Sequence, residues 1–377
     1  MKFKYVLLVT VGLLGGVNDG FAQDSTDITT IEQKAATGDV QAQYNFGMIY
    51  YNGDKVPQDY PKAAEWFQKS AGQGNVAAQY HLGLLYEQGK GVSKDQVKAK
   101  ELIEKAAAQG NVDAQLNLGL SYSKGKNKDY TKAKDWFEKA ASQGNITAEY
   151  NLGLLYYNGN GVPKDKTKGK ALIEKAANQN NVDAQTKMGD ICKDEGILLM
   201  NSGRYKPADI ANPQLRDKAM TELDEIESKI EPLRKKAKDW YEKAANQNGA
   251  EAQYKLADCY RHGIGVEKNK QLEEHWLQES AFHGYLEAEK EYASAVRDGD
   301  FGSKKAGVAI FFYEKAAKKG DGESQYELGY MYKYGLKRHS DGVDLPQDKV
   351  KAKEYFKQAC INKYELACSQ YKQMNNE

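Results

Sequence analysis

Three Ser-x-x-Lys patterns are the residues of this chain whose types and spacing most directly suggest catalysis. They begin at Ser121, Ser123 and Ser369, and in some acyl-transfer enzymes such a serine is the nucleophile. The sequence contains no Lys-Thr-Gly partner motif, Gly-x-Ser-x-Gly elbow, phosphate-binding glycine loop or His-Glu-x-x-His. Because a lysine-rich chain contains Ser-x-x-Lys by chance, we predict no enzymatic activity, no catalytic residue and no cofactor.

The five histidines do not have the spacing of a metal site. They are His81, His262, His275, His283 and His339. His275 and His283 are about two helical turns apart, but no cysteine or carboxylate completes a ligand set with them. We therefore predict no metal site and interpret the histidines as solvated surface residues.

A block Ala-x-x-x-(Leu or Phe)-Gly recurs along the chain and defines the elements that must position any site. Its first residue stands at Ala42, Ala78, Ala114, Ala148, Ala184, Ala252, Ala288 and Ser324. The usual step, such as 78 − 42 = 36 residues, is typical of a helix-turn-helix unit that must stack on its neighbours to bury its apolar face. We predict eight repeats, each with a first helix such as Val40–Asn52, a glycine-rich loop and a second helix such as residues 61–73.

Two recurring residues predict how each repeat is packed. Gly47 and its equivalents lie within the first helix, where glycine costs about 1 kcal/mol relative to alanine, so another helix should approach closely there. All four tryptophans, such as Trp66, hold one position of the second helix. We predict that this position carries the main buried side chain of each repeat.

The pattern Tyr80-x-Leu82-Gly83-x-x-Tyr86-x-x-Gly89-x-Gly91-Val92-x-x-Asp95, followed by Lys105-Ala106-Ala107-x-x-Gly110-Asn111, closely resembles the Sel-1-like repeat family. The resemblance covers residues 31–371. It implies an all-α, right-handed α/α superhelical solenoid of about eight helix-turn-helix repeats, of an exported bacterial type related to tetratricopeptide proteins, that works by binding other proteins. Two alternatives follow from relatives: an immunity protein with a bacterial toxin as partner, and a penicillin-binding or β-lactamase-like enzyme of the cysteine-rich branch.

The repeats divide the chain into successive segments. We predict a signal peptide in residues 1–22, an N-terminal cap helix in 23–39, repeats 1 to 4 in 40–181, repeat 5 in 182–249, repeats 6 to 8 in 250–362, and a C-terminal cap helix and tail in 363–377. Repeat 5 contains an insertion of 68 − 36 = 32 residues. Apolar residues every three or four positions after the cap Asn212-Pro213 predict a second helix of roughly thirty residues, kinked at Pro232. We favour packing of this helix on its own repeat over an arm that contacts a partner.

The N-terminal segment predicts export. Lys2 and Lys4 precede an apolar run in residues 5–17, and small residues lead to a cleavage site near Ala22. The run is too short to span a bilayer, so we expect a periplasmic or secreted protein without membrane insertion. Cleavage leaves 54 − 2 = 52 basic and 53 − 1 = 52 acidic residues, and this balance does not suggest a nucleic-acid partner.

The four cysteines suggest one bridge. Cys360 and Cys368 flank the turn between two predicted helices, and an exported chain meets an oxidising compartment. We predict a disulfide between them, and the alternative is two buried free thiols. Cys192 and Cys259 lie on successive first helices in different registers, so whether they pair stays open.

The first helices offer a candidate binding surface opposite their buried stripe. In repeats 1 to 4 its positions hold ten aromatic or aliphatic residues: Tyr44, Met48, Tyr51, Tyr80, Leu84, Leu116, Leu120, Tyr150, Leu154 and Tyr157. The same positions are mostly polar or charged in repeats 5 to 8. We predict that the ten residues line the concave side and bind a protein or peptide of unknown identity. The alternative is that they pack against adjacent first helices and only tighten the stack.

Overall fold

The computed structural model describes residues 28–376, with gaps at 126–127, 204–207, 209–210, 303–304 and 336–344. The predicted signal peptide and His339 lie outside the described residues. The described residues form eighteen α-helices and no β-strand: α1 Ile28–Ala36, α2 Val40–Asn52, α3 Tyr60–Gly72, α4 Val76–Gln88, α5 Gln96–Ala108, α6 Val112–Ser123, α7 Tyr130–Ser142, α8 Ile146–Asn158, α9 Lys166–Asn178, α10 Val182–Ser202, α11 Arg216–Ala245, α12 Ala250–His262, α13 Lys270–Phe282, α14 Leu286–Asp298, α15 Ala306–Lys318, α16 Gly322–Tyr334, α17 Lys349–Ile361 and α18 Glu365–Asn375.

The helices from α2 to α17 form eight consecutive pairs, with α1 before the first pair and α18 after the last. The chain divides into two compact units, residues 1–179 and 180–377, which we call unit 1 and unit 2. Unit 1 contains α1 to α9 and unit 2 contains α10 to α18. Within each unit, consecutive helices pack against one another. The all-helical solenoid predicted from the repeat is confirmed.

A Gly-Asn pair marks the boundary between many of the repeats. Gly74 has a φ of +93°, a left-handed conformation that ends α3. Asn75 then caps α4, because its side-chain oxygen accepts a hydrogen bond from the N–H of Ala78 at 2.8 Å. The recurring alanine of the sequence block is therefore the residue whose N–H is capped.

The helix glycines face a ring or branched side chain of the paired second helix, but that residue is not the tryptophan. A Cβ added to Gly47 would lie 2.6 Å from Phe67, and one added to Gly119 would lie 2.5 Å from Phe137. Phe67 is 0 % exposed, whereas Trp66 is half-buried and carries the Lys69 ammonium 4.0 Å from its ring centroid. The prediction is thus wrong for the tryptophans, because the side of the second helix that faces the core carries the next residue along the chain. In repeat 7 the same position holds Phe312, which is buried.

Buried amide side chains join the repeats at a position that sequence reasoning overlooked. Gln73 Nε2 donates to Gln43 Oε1 at 2.7 Å, which ties α3 to α2. Gln43 Nε2 donates in turn to the carbonyl of Ala35 at 3.2 Å in the preceding helix. Equivalent side-chain pairs recur in the other repeats: Gln79–Gln109, Gln115–Gln143, Glu149–Gln179, Gln185–Gln247, Gln253–His283, Glu289–Lys319 and Gln325–Asn362. A buried polar group is costly unless it is bonded, so these pairs help to fix the register between helices.

Repeat 5 differs from the others in both of its helices. α11 has 30 residues, as expected, and contains Pro232; the kink at this proline stays a prediction. α10 is also extended, to 21 residues. Ile226 and Ile230 of α11 are buried, and a Cβ added to Gly196 of α10 would lie 3.5 Å from Ile230. The extension therefore packs on its own repeat.

The cap predicted for this long helix is wrong. α11 begins at Arg216, its N-cap is Leu215, and no side chain bonds the cap. Asn212 instead closes a turn before the helix, where its side chain accepts a hydrogen bond from Gln214 N at 3.0 Å. The cause is local, since an asparagine can form such a turn as readily as it can cap a helix.

Near the C-terminus, Cys360 of α17 and Cys368 of α18 form a disulfide with their Cα atoms 4.7 Å apart. The bond ties α18 to α17 across the short connection between them. Cys192 and Cys259 are buried and do not form a disulfide, and both belong to one hydrophobic cluster of unit 2.

Candidate protein-binding face

The ten residues predicted to bind a partner lie on the first helices of unit 1, and we call them the first-helix face. All ten are half-buried. Tyr44, Met48 and Tyr51 pack against the cluster that contains Phe67 and Leu82. Leu116 and Leu120 pack against the corresponding cluster of α7 and α8. Each side chain thus shares its surface between the stack and the exterior. The packing proposed as the alternative is observed, and the binding of a partner stays a prediction.

Aromatic rings meet where the face crosses from α2 to α4. The centroid of the His81 ring lies 5.8 Å from that of Tyr44, 5.7 Å from that of Tyr51 and 5.5 Å from that of Tyr80. These three tyrosines come from two successive repeats. The structure therefore brings them together around one histidine, which the spacing of the tyrosines alone did not indicate.

His81 is half-buried within this cluster, so the prediction of a solvated surface residue is wrong for this histidine. Its ring stacks on Phe67 with the centroids 5.5 Å apart, and its buried Nδ1 has no hydrogen-bond partner among the described residues. Burial lowers the pKa of His81, while the charge of Asp113 acts in the opposite direction. The sequence contained one indication that His81 differs from a surface residue. The other repeats of unit 1 have asparagine at the same position: Asn45, Asn117 and Asn151.

Acidification should destabilise wild-type unit 1 more than the His81→Asn variant. Because the folded pKa lies below the ordinary value of 6.5, the contribution of the neutral ring is complete above that pH and is lost as the pH falls towards the folded pKa. Tyrosine and aspartate side chains with ordinary pKa values do not change charge between about pH 7 and pH 5. Urea unfolding of both proteins over this range measures the difference, and an identical pH dependence would contradict the burial of a neutral His81.

Repeat matches to a family model run along most of the chain. The Sel1 repeat model matches residues 40–75, 76–111, 112–145, 146–181, 228–249, 250–284, 287–321 and 322–364. The chain belongs to the Sel1 repeat family. In repeat 5 the match begins only at residue 228, within α11, which agrees with the extended helices of that repeat.

Three other proteins illustrate the relationship. A Sel1 repeat protein from Oxalobacter formigenes, of known crystal structure, is 28 % identical, with 93 % of this chain and 83 % of that chain covered and a TM-score of 0.46. An immunity protein from Pseudomonas aeruginosa is 21 % identical, with 67 % and 81 % covered and a TM-score of 0.39. Chitin synthase regulatory factor 3 of Schizosaccharomyces pombe is 32 % identical over 99 residues, which are 26 % of this chain and only 11 % of that protein. None of these likenesses carries an argument about function.

Charged residues distinguish the Sel1 repeats of unit 2 from those of unit 1. Ion pairs join neighbouring first helices of unit 2: Asp190–Lys255 and Lys193–Asp258 between α10 and α12, Arg261–Glu291 between α12 and α14, and Lys290–Glu323 and Arg297–Glu327 between α14 and α16. In unit 1 the four first helices contain no lysine or arginine, so no such pairs can form between them. The charged side chains of unit 2 largely satisfy one another, while the first-helix face of unit 1 presents aromatic and aliphatic groups.

Two of the three serines considered for catalysis are bonded within their own helices. Ser123 Oγ donates to the carbonyl of Leu120 at 2.9 Å, and Ser369 Oγ donates to the carbonyl of Leu366 at 2.8 Å. Across the described ranges, no group of three or more His, Cys, Asp or Glu residues is placed to hold a metal ion. Nor does any helix in the described part of the chain combine the length and apolar character needed to cross a bilayer. Proteins built of Sel1 repeats are generally interaction scaffolds.

Proposed function

We propose that this chain is an exported, non-enzymatic scaffold that binds a protein or peptide on the first-helix face of unit 1. The observation that carries the proposal is the contrast between the units at equivalent repeat positions. Tyrosine, leucine and methionine occupy these positions in unit 1, where they keep part of their surface exposed. In unit 2 half of the equivalent positions hold members of ion pairs between first helices. Tyrosine suits binding, because its ring and hydroxyl both form contacts at an interface.

Alanine variants test this proposal poorly, because the face also supports the stack. The Tyr44 ring lies 5.9 Å from the Phe67 ring, centroid to centroid, so truncation at Tyr44 would lower stability as well as binding. A photo-reactive benzoyl-phenylalanine in place of a tyrosine of the face keeps an aromatic ring there, and it cross-links to any protein that contacts that ring.

We therefore expect photo-cross-links from position 80 or 150 to a partner protein in the exported fraction of the source cells. The matched control is position 326, where Tyr326 of unit 2 holds the same place in its repeat as Tyr80. A partner that cross-links at 80 and 150 but not at 326 supports the proposal. Equal cross-linking at all three positions, or none at 80 and 150, would refute it.

Toxin neutralisation is a special case of the same binding. The cross-linked protein would then be a hydrolase delivered by a rival bacterium, and deletion of the chain would remove protection in a competition assay. Identification of the cross-linked protein separates this role from that of a general adaptor. Fractionation in the same experiment tests the export predicted from residues 1–22.

A further inference from the structure

The first helices of unit 1 are acidic as well as aromatic. Their charged residues are Glu87, Asp113 and Glu149, without any lysine or arginine. Glu149 is buried and bonded to Lys175 and Gln179. No ion pair involves Glu87 or Asp113 within the described part of unit 1. Among the described residues, these two carboxylates of the aromatic first helices therefore have no cationic partner.

These two carboxylates are close enough to influence the tyrosines of the face. Burial raises the pKa of Tyr80 to about 12, and the charges of Asp113 and Glu87 add to the effect. Burial also raises the pKa of Tyr44, again with a contribution from Asp113. Asp113 lies in the first turn of α6, and its charge contributes to the raised pKa values of tyrosines on both α2 and α4.

Elsewhere in unit 1, exposed edges of tyrosines are matched with lysines of the same chain. One such pair occurs in each of the four repeats: Lys62 lies 5.0 Å from the Tyr50 centroid, Lys98 lies 4.3 Å from that of Tyr86, Lys132 lies 5.4 Å from that of Tyr122 and Lys168 lies 3.7 Å from that of Tyr156. Among the described residues, no cation lies over Tyr44 or Tyr80. Lys166 lies 5.7 Å from the Tyr157 centroid elsewhere on the face. Around Tyr44 and Tyr80 the face therefore has ring and carboxylate groups that attract a cation, with no cation of the described residues over either ring.

We propose that the first-helix face of unit 1 binds a cationic segment of its protein partner, with a lysine or arginine side chain placed beside the Tyr80 ring and the carboxylates of Glu87 and Asp113. This inference rests on the proposed function. Apolar side chains of the same segment contact the aliphatic part of the face, which includes Leu84 and Leu116. Charge complementarity of this kind selects partners and sets their orientation.

A pair of short fluorescent peptides tests the inference with the full chain. One alternates leucine with arginine, and its twin carries neutral citrulline in place of arginine, so that the two differ in charge and share their apolar groups. We expect the arginine peptide to bind about tenfold more tightly by fluorescence anisotropy, with an advantage that falls as salt is raised. Equal affinities, or no detectable binding of the arginine peptide, would overturn the inference.

The double variant Glu87→Gln/Asp113→Asn should remove this preference for arginine. The matched control is Glu65→Gln/Asp183→Asn, which changes the net charge equally at exposed positions and in which Asp183 holds the repeat position of Asp113 in unit 2. We expect the control to keep the preference, and an unchanged preference in the first variant would contradict the site. Cross-linking at position 80 tests the proposed function independently of this inference. A partner segment without lysine or arginine at this position would support the scaffold role and contradict the cationic segment.

Discussion

Replacing Gly119 by alanine lowers the free energy of unfolding of unit 1 by about 2 kcal/mol, because the added methyl group overpacks the core. Helix propensity alone gives the opposite sign, since alanine is favoured over glycine inside a helix by about 1 kcal/mol. The packing cost prevails because the new Cβ would lie 2.5 Å from Cδ1 and Cε1 of Phe137. Phe137 is 1 % exposed, so its ring has little free space into which it can move. Urea unfolding followed by circular dichroism measures the loss, and hydrogen exchange locates it in α6 and α7.

The chain itself supplies the compensating pair. In repeat 6 the positions of Gly119 and Phe137 are held by Ala257 and Leu277, both fully buried. The double variant Gly119→Ala/Phe137→Leu should therefore recover much of the stability lost in the single variant, because the smaller side chain leaves room for the methyl group. A single variant that is more stable than the wild type would show that the ring is not in close contact with this glycine.

Replacing Glu289 by alanine costs unit 2 about 2 to 3 kcal/mol through the loss of a buried carboxylate from a bonded cluster. The Glu289 side chain is 0 % exposed and lies 3.2 Å from Lys315 Nζ and 2.8 Å from Lys319 Nζ. Lys319 donates a hydrogen bond to Oε2, whereas Lys315 is an ionic neighbour of Oε1 and donates its hydrogen bonds to the carbonyls of Ala281 and Phe282. The cost is below that of a fully enclosed ion pair, because both lysines reach solvent and can rehydrate. Thermal and urea unfolding measure it.

The glutamine pairs of other repeats, in which one glutamine is buried, provide the control for Glu289. The double variant Glu289→Gln/Lys319→Gln rebuilds the glutamine pair seen in Gln43 and Gln73, so we expect it to lie within about 1 kcal/mol of the wild type. If the double variant is as unstable as Glu289→Ala, the position depends on its charge and is not interchangeable with a neutral hydrogen-bonded pair.

The fold follows from the sequence because the signals that define it are local and repeated. The step between recurring alanines, the Gly-Asn boundaries and the helical period of the apolar residues predicted paired helices. The bounds of α2, Val40–Asn52, were predicted to the residue. The helix glycines also predicted a close approach, since an isolated helix has no reason to contain them.

The partner of each glycine was decided only by the tertiary structure. Trp66 and Phe67 are adjacent in sequence but point about 100° apart around their helix, and nothing local specifies how that helix is rotated on its neighbour. Packing places Phe67 in the core and leaves Trp66 at the rim. The glutamine pairs, each with one buried member, escaped prediction for a similar reason. A polar residue is normally assigned to the surface unless its partner in another helix is known.

The same distinction applies to the candidate face. The sequence by itself determined that the first helices of unit 1 carry tyrosines and leucines in register and that those of unit 2 carry charges, since both are properties of repeat position. Only the tertiary structure decided that His81 is enclosed by tyrosines from two repeats and that the charges of unit 2 pair with one another. The physical reason is that burial and ion pairing depend on distances between separate helices, which are set by the packing of the whole stack and not by the order of residues within one helix.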